Sequence, residues 1–328
     1  MIPQIYGNDP VLELIRTMRE RDRIPHASLL FGEKGLGRKT IARYFAMTAL
    51  CTGGNAPCGE CPSCRKLLQD DLQDIHPHPD VMWVEHSGKK QGFSVDTVRR
   101  VCRESIVAPN DGDRKVYIFA DCDRMDIRAQ NTLLKLTEEP PPHVLLLFTA
   151  EHRNAFLVTM LSRMMPIAVR PCTAEECREA LVTQHDCTPG DAARAAAVCG
   201  GNIGKALAWL ESDAMQELTR QAAALTEAIA GRRQYEILRI FAGFETDRMQ
   251  AGELLKLLDL QLRDALVMRF TQAQRSGVDA DSARKLSASL TASRTRRMHD
   301  AIQNAYDALQ ANVSVKLALA ALGGALLS

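Results

Sequence analysis

Residues 27–40 read ASLLFGEKGLGRKT, and this stretch decides the fold. Its first five residues form an apolar run that ends at Gly32, as a buried strand does before a turn. Glycines follow at short spacing, and from Thr40 to Leu50 the apolar residues recur at helical intervals. A strand, a glycine-rich loop and a helix in this order are the setting in which a loop binds phosphate, because backbone N–H groups and the helix N-terminus face the anion.

The loop departs from the phosphate-binding pattern G-x4-G-K-[ST] at its last two positions. Arg38 stands where the pattern has the lysine that contacts the phosphates, and Lys39 stands where it has the hydroxyl that binds Mg²⁺. The planar guanidinium of Arg38 is no substitute for a lysine ammonium, and Thr40 comes one residue too late. Two interpretations stay open: a glycine-rich turn kept for packing, or weak nucleotide binding by the loop. The candidate nucleotide-binding residues are Gly32, Gly35, Gly37, Arg38, Lys39 and Thr40.

Three further apolar runs predict strands, at residues 81–84, 116–120 and 144–148. Helical segments separate them, and continuous apolar strands of this kind are typical of a parallel sheet covered on both faces. We therefore expect an α/β fold for residues 1–170. After Pro171 the strand signals stop, and segments rich in Ala, Leu, Glu and Arg predict helices.

The end of the predicted strand at 116–120 carries a second departure from an ATPase. A P-loop ATPase has an aspartate there that anchors Mg²⁺, followed by a glutamate that polarises water, whereas this chain has Ala120 and Asp121. The metal and the loop lysine supply most of the charge stabilisation in phosphoryl transfer. With both altered, we expect no self-sufficient ATP hydrolysis, so the chain is not an enzyme by itself.

Four cysteines follow the predicted helix as C-x6-C-x2-C-x2-C, at Cys51, Cys58, Cys61 and Cys64. With ten cysteines in 328 residues, a C-x2-C-x2-C run is expected by chance only about 0.01 times. Interlocked steps of this kind bring thiolates within tetrahedral reach of one Zn²⁺, and four protein ligands make such a site structural. The alternatives are thiols that have lost the metal, or a redox role.

Composition narrows the class of protein. Lys and Arg together number 41 against 40 Asp and Glu, and a net charge of +1 argues against a free-standing polyanion binder. The N-terminus lacks a basic segment followed by an apolar core, and residues 317–327 are too short to span a bilayer. We expect a cytoplasmic protein with no membrane partner, in which thiols stay reduced.

Five segments together resemble the clamp-loader branch of the AAA+ family. They are HASLLFG at 26–32, the cysteine module at 51–64, NTLLKLTEEPP at 131–141, LSR at 161–163 and GGNIGKAL at 200–207. The segment at 131–141 alone would be ordinary scaffold, but all five occur in the family's order and approximate spacing. The cysteine module after the predicted helix is very specific to bacterial clamp loaders. The resemblance implies an α/β AAA+ P-loop core with a small helical lid and an all-α C-terminal collar domain.

The resemblance also divides the chain into three domains. The core with its four-cysteine zinc module, at about 51–64, is expected over 1–170, the lid over 171–212, and the oligomerisation collar over 213–328. The implied assembly is a hetero-oligomeric pentamer in DNA replication, the clamp loader of DNA polymerase III. The implied partners are three tau/gamma-type subunits and one delta subunit, with the sliding clamp and primer–template DNA contacted through the complex.

Carried over by position, Arg163 takes the place of the family's arginine finger, which acts in trans on the ATP of a neighbouring subunit. Thr149 takes the sensor-1 place. The plain alternative for Arg163 is a surface or salt-bridged arginine. The resemblance implies that ATP is bound by neighbouring subunits and not by this chain, so that Arg163 is its one catalytic candidate.

Two other functions remain open on the sequence. One is an ATP-hydrolysing tau/gamma-type clamp-loader subunit, which would turn over ATP despite Arg38, Lys39 and Ala120. The other is a zinc-containing nucleic-acid-binding regulator built on a dead AAA+ core. A salt-dependent affinity of the isolated chain for DNA would favour the regulator.

Overall fold

The computed structural model of the protein describes residues 4–69, 78–84, 93–270 and 280–327. The chain divides into two compact units, Met1–Pro171 and Cys172–Ser328. Within the described ranges, no helix combines the length and apolar character that a membrane crossing requires. The three-domain division stays a prediction, in which the lid and the collar both fall in the second unit.

A five-stranded parallel sheet forms the centre of the first unit, with the strand order β2-β3-β4-β1-β5. Its strands are β1 Ala27–Phe31, β2 Val81–Val84, β3 Lys115–Phe119, β4 Val144–Ala150 and β5 Met165–Ala168. The four strands predicted from apolar runs are all present, which confirms the α/β class of this part of the chain.

Strand β5 has no counterpart among the predicted strands. It is an edge strand that pairs with β1, and it contains Pro166. Proline has no N–H to donate to a sheet ladder, so it is tolerated at an edge and argues against a strand when only the sequence is read. The four residues also alternate in exposure and lack the continuous apolar run of the central strands.

Both faces of the sheet are covered. The helices of this unit are α1 Asp9–Glu20, α2 Arg38–Leu50, α3 Pro62–Leu68, α4 Val95–Glu104, α5 Ile127–Glu138 and α6 Val158–Leu161. Alternate strand residues enter two apolar cores, so that Leu30 lies in the core with α1 and α2 while Leu29 lies in the core with α4 and α5. Helix α2 therefore lies against the sheet, with the glycine-rich loop before it and the cysteines after it.

The second unit is helical throughout its described residues. Its helices are α7 Ala174–His185, α8 Pro189–Val198, α9 Ile203–Leu210, α10 Asp213–Ala230, α11 Gln234–Ala242, α12 Arg248–Val267, α13 Ala280–Ser289, α14 Ala292–Gln310 and α15 Val315–Leu327. Thr173 and Glu176 form a full capping box at the start of α7. Helices α7 to α9 share one apolar cluster, and α10 to α15 share another.

Candidate functional site

The glycine-rich loop has a backbone that depends on its glycines. Gly35 and Gly37 have φ of 91° and 79°, in the left-handed region that favours glycine. A Cβ on Gly32 would lie 2.3 Å from the carbonyl oxygen of Val169, so no side chain fits there. Helix α2 begins directly after Gly37 with no side-chain cap, which leaves its first N–H groups directed at the loop. The six candidate residues therefore lie together on one loop and helix start.

The two basic residues of the loop motif turn towards the end of β3. Arg38 Nη2 lies 3.3 Å from Asp121 Oδ1, and Lys39 Nζ lies 2.8 Å from Asp121 Oδ2. The Arg38 side chain is only 5% exposed, whereas that of Lys39 is 42% exposed. The Asp121 carboxylate therefore pairs with both of the cations that would contact phosphate in a nucleotide site.

The carboxyl ends of β3 and β4 are also joined by hydrogen bonds beside the start of α2, in a crevice where Arg38, Lys39, Asp121 and Asp123 meet. The backbone N–H of Asp121 donates to Thr149 Oγ1 at 2.8 Å. Asp123 Oδ1 accepts the backbone N–H groups of Glu151 at 2.7 Å and His152 at 3.3 Å. Asp123 Oδ2 lies 4.0 Å from Arg38 Nη1. Two cations and two carboxylates therefore meet at the crevice, and their formal charges cancel.

The four cysteines come together beyond the C-terminus of α2. One Sγ from each of Cys51, Cys58, Cys61 and Cys64 lies within 4.8 Å of the others. A tetrahedral zinc with bonds of about 2.3 Å needs sulfur–sulfur separations of about 3.8 Å. The pair Cys51 and Cys61 is at 4.0 Å, so the donor set and its spacing fit one zinc ion.

Backbone N–H groups point at the sulfur atoms. Cys51 Sγ accepts from the N–H of Cys58 at 3.3 Å, and Cys58 Sγ accepts from the N–H of Cys61 at 3.3 Å, a bond that lowers the pKa of Cys58. Partial burial opposes ionisation of Cys61, but N–H bonds from Cys64 and Thr52 outweigh it and lower its pKa to about 6. Burial raises the pKa of the thiols of Cys51 and Cys64. Thiolate is the form that binds metal, and a bound cation would hold the two buried thiols in that form.

Arg163 follows α6 and is partly exposed. Its Nη2 lies 2.7 Å from Glu138 Oε1, and its Nη1 donates to the carbonyl of Thr159 at 2.6 Å and to Ser162 Oγ at 3.2 Å. The side chain is 34% exposed. A guanidinium has five N–H donors, and the described contacts use three of them. Arg163 is therefore salt-bridged within the chain and still has donors to offer to a partner molecule.

Sequence reasoning gave no role to Asp123 or Glu138. Asp123 lies two residues beyond Asp121 in a D-C-D run, but nothing in that run indicates that it accepts N–H groups from the loop after β4. Glu138 belongs to the quoted segment 131–141, and its pairing with Arg163 depends on how α5 and α6 lie together. Only the fold brings these residues to the crevice and to Arg163.

Comparison with known proteins identifies relatives. The family model described as DNA polymerase III, delta subunit, matches residues 7–173, just over half of the chain. The chain is 27% identical over 262 residues to DNA polymerase III subunit delta' of Bacillus subtilis, covering 78% of this chain and 76% of that protein. It is 32% identical over 140 residues to subunit delta' of Pseudomonas aeruginosa, covering 42% and 41% of the two chains.

The tau subunit is a further relative. Escherichia coli DNA polymerase III subunit tau is 29% identical over 179 residues, which are 54% of this chain and 26% of that protein. Among solved structures, a gamma subunit-related protein of Thermotoga maritima covers 96% of this chain and 98% of its own, at 16% identity and a TM-score of 0.41. The Bacillus subtilis clamp loader delta protein covers 96% and 99%, at 12% identity and 0.39. Likeness at this level says nothing about chemistry.

The family match and the parallel sheet agree. They confirm the predicted α/β core with a parallel sheet, followed by a helical C-terminal part. The relatives also agree with the functional class that the five sequence segments indicated, a subunit of the DNA polymerase III clamp loader. The chain belongs to the DNA polymerase III, delta subunit family, as a delta-prime-type clamp-loader subunit.

Proposed function

We propose that this chain is a non-hydrolysing subunit of the DNA polymerase III clamp loader that lends Arg163 to the ATP site of a neighbouring subunit. In that role it helps to load the sliding clamp on primer–template DNA in replication. The observation that carries the proposal is the contrast between two arginines. Arg38 is buried against Asp121 in the chain's own crevice, whereas Arg163 is one-third exposed and keeps donors to spare.

A silent nucleotide site is the first part of the proposal. Arg38 and Lys39 both face Asp121, and Ala120 provides no carboxylate for Mg²⁺. Phosphoryl transfer depends on a metal and on cations free to stabilise charge on the phosphates. This chain lacks the carboxylate at 120, and its loop cations are neutralised, so ATP would be bound and cleaved by tau/gamma-type neighbours.

The arginine finger is the second part. Glu138 Oε1 and the carbonyl of Thr159 hold the guanidinium of Arg163 from two sides, which reduces the conformational entropy lost when it meets a phosphate. The pair with Glu138 is partly exposed, and a partly exposed ion pair is weak enough to yield to a triphosphate. Arg163 would then stabilise charge on the phosphoryl group in transfer.

A structural zinc is the third part. Cys51, Cys58, Cys61 and Cys64 would hold the ion with no open position, so it would stabilise the fold and take no part in chemistry. The proposed partners are the tau/gamma-type and delta subunits, which relatives of this chain represent.

The test is Arg163→Ala in a clamp loader reconstituted with tau/gamma-type and delta subunits, with clamp and primer–template DNA present. An arginine finger contributes about 10³–10⁵ in rate in other NTPases. Loss of one finger among three ATP sites should lower stimulated ATP turnover by at least about a third, while assembly measured by gel filtration stays unchanged.

The matched control is Arg153→Ala, which removes the same charge from an exposed turn close in sequence. It should leave turnover at the parent level. Unchanged turnover with Arg163→Ala would reject the finger. ATP hydrolysis by the purified chain alone would instead favour a tau/gamma-type ATPase.

A further inference from the structure

We propose that the phosphate-binding crevice is filled from within: the Asp121 carboxylate stands between Arg38 and Lys39 in place of phosphate, and a neutral residue at 121 turns the crevice into a polyphosphate-binding site. The inference rests on the proposed function in one respect, since both require a silent nucleotide site in the parent chain. It goes further by naming the group that silences the site.

The cradle for an anion is still present. Gly35 and Gly37 retain left-handed backbone, and α2 starts after Gly37 without a side-chain cap. Uncapped N–H groups at a helix start carry partial positive charge and favour anions. Lys39 and Arg38 add two full charges at the same helix start.

Asp121 divides its two oxygens between these cations as a phosphate would. Oδ1 faces Arg38 Nη2 at 3.3 Å, and Oδ2 faces Lys39 Nζ at 2.8 Å. The residue reaches back to α2 because its backbone is left-handed, with φ 55° and ψ 56°, and its N–H is anchored on Thr149. The carboxylate is therefore held in this position by the fold at the end of β3.

The Asp121 carboxylate does not satisfy every donor of the two cations. The donor that it leaves without an acceptor indicates that the site fits a larger anion. Arg38 is nine-tenths buried, yet its Nη1 has no hydrogen-bond partner among the residues that the structure describes. The oxygen of Asp123 at 4.0 Å is too far away, and Asp123 already accepts the N–H of Glu151. A buried guanidinium donor without an acceptor is rare in a folded protein. A polyphosphate carries more oxygens than one carboxylate and would satisfy it.

Asp121 also excludes such an anion. A phosphate bound by Arg38 and Lys39 would lie beside a carboxylate, and like charges at this separation repel. Neutralising residue 121 removes the repulsion and frees both cations at once.

The test is Asp121→Asn in the full chain, because asparagine tolerates left-handed backbone better than most residues. Titration calorimetry with inorganic pyrophosphate, at low ionic strength and without Mg²⁺, should show binding at least about tenfold tighter than to the parent. Asp113→Asn removes the same charge from an exposed loop and should bind like the parent. Asp121→Gly also accepts this backbone and carries the test if the asparagine variant does not fold.

Folded variants at 121 that bind pyrophosphate no more tightly than the parent would overturn the inference. Tight binding by the parent chain would overturn it as well. If the variants at 121 show no gain in pyrophosphate affinity, the proposed function still stands, because the nucleotide site of the parent chain is then still silent. The proposed function fails on other results, namely ATP turnover by the parent alone or no effect of Arg163→Ala.

Discussion

Helix α2 has a candidate ligand site at each end, and the two ends treat charge in opposite ways. At the N-terminus, Arg38 and Lys39 meet Asp121, so cations and carboxylates neutralise each other within the chain. At the C-terminus, four sulfurs converge and accept backbone N–H groups, which supply no net charge. A site that is neutral by itself gains little from a ligand, whereas four sulfurs gathered this closely could all ionise only with a cation between them. The same helix therefore has a charge-neutralised crevice at one end and, at the other, four sulfur donors whose spacing fits a cation.

The largest effect should follow Cys64→Ser, which removes one of the four sulfur atoms from the cysteine cluster after α2. Cys64 is fully buried, and the free energy of binding a structural metal is folding free energy. We expect zinc to fall from one ion per chain to nearly none, and the free energy of unfolding to fall by about 3 kcal/mol or more. Elemental analysis and thermal unfolding measure the two changes.

The control for the cysteine end is Cys187→Ser, a partly exposed cysteine of the second unit. It should keep the zinc and the unfolding temperature. A parent chain purified under reducing conditions without chelators and found free of zinc would remove the metal from the proposal.

A smaller effect is expected from Arg38→Met at the other end of α2. The substitution removes the buried partner of Asp121, which keeps its contact with Lys39, and should lower the free energy of unfolding by about 1.5 kcal/mol. Lys39→Met removes the neighbouring cation from the same carboxylate, but this pair is exposed and should contribute less than about 0.5 kcal/mol. Thermal unfolding of the two variants compares a buried and an exposed contact to the same carboxylate. Equal losses of unfolding free energy would contradict the conclusion that Arg38 is the main partner of Asp121.

The smallest effect concerns the turn around the cysteines. A Cβ on Gly53 would lie 2.9 Å from Cys58 Sγ, so Gly53→Ala must displace the sulfur of a proposed zinc ligand. We expect about tenfold weaker zinc binding in competition with a chromophoric chelator. At Gly54 a Cβ would meet no atom of the described residues within 4 Å, and Gly54→Ala should bind zinc like the parent. If both alanine variants bind equally, Cys58 is not a ligand.

The features read correctly from the sequence are those encoded by neighbouring residues. The run at 27–31, the glycines before α2 and the spacing of the cysteines each lie within a short stretch. The features missed depend on residues that the fold brings together. Strand β5 forms because it pairs with β1, and Pro166 argues against a strand when only the sequence is considered. The contacts of Asp123 and Glu138 cross 28 and 25 residues, and no local pattern announces them.

The tight approach at Gly32 has a mechanical consequence. Val169 donates its N–H to Phe31 at 2.7 Å, and its carbonyl leaves no space for even one carbon atom on Gly32. Strand β5, which begins two residues after Arg163, is therefore braced against the start of the glycine-rich loop without slack. Because β5 pairs with β1 and β1 pairs with β4, a backbone shift at the start of β5 could not be absorbed locally and would have to involve the middle of the sheet.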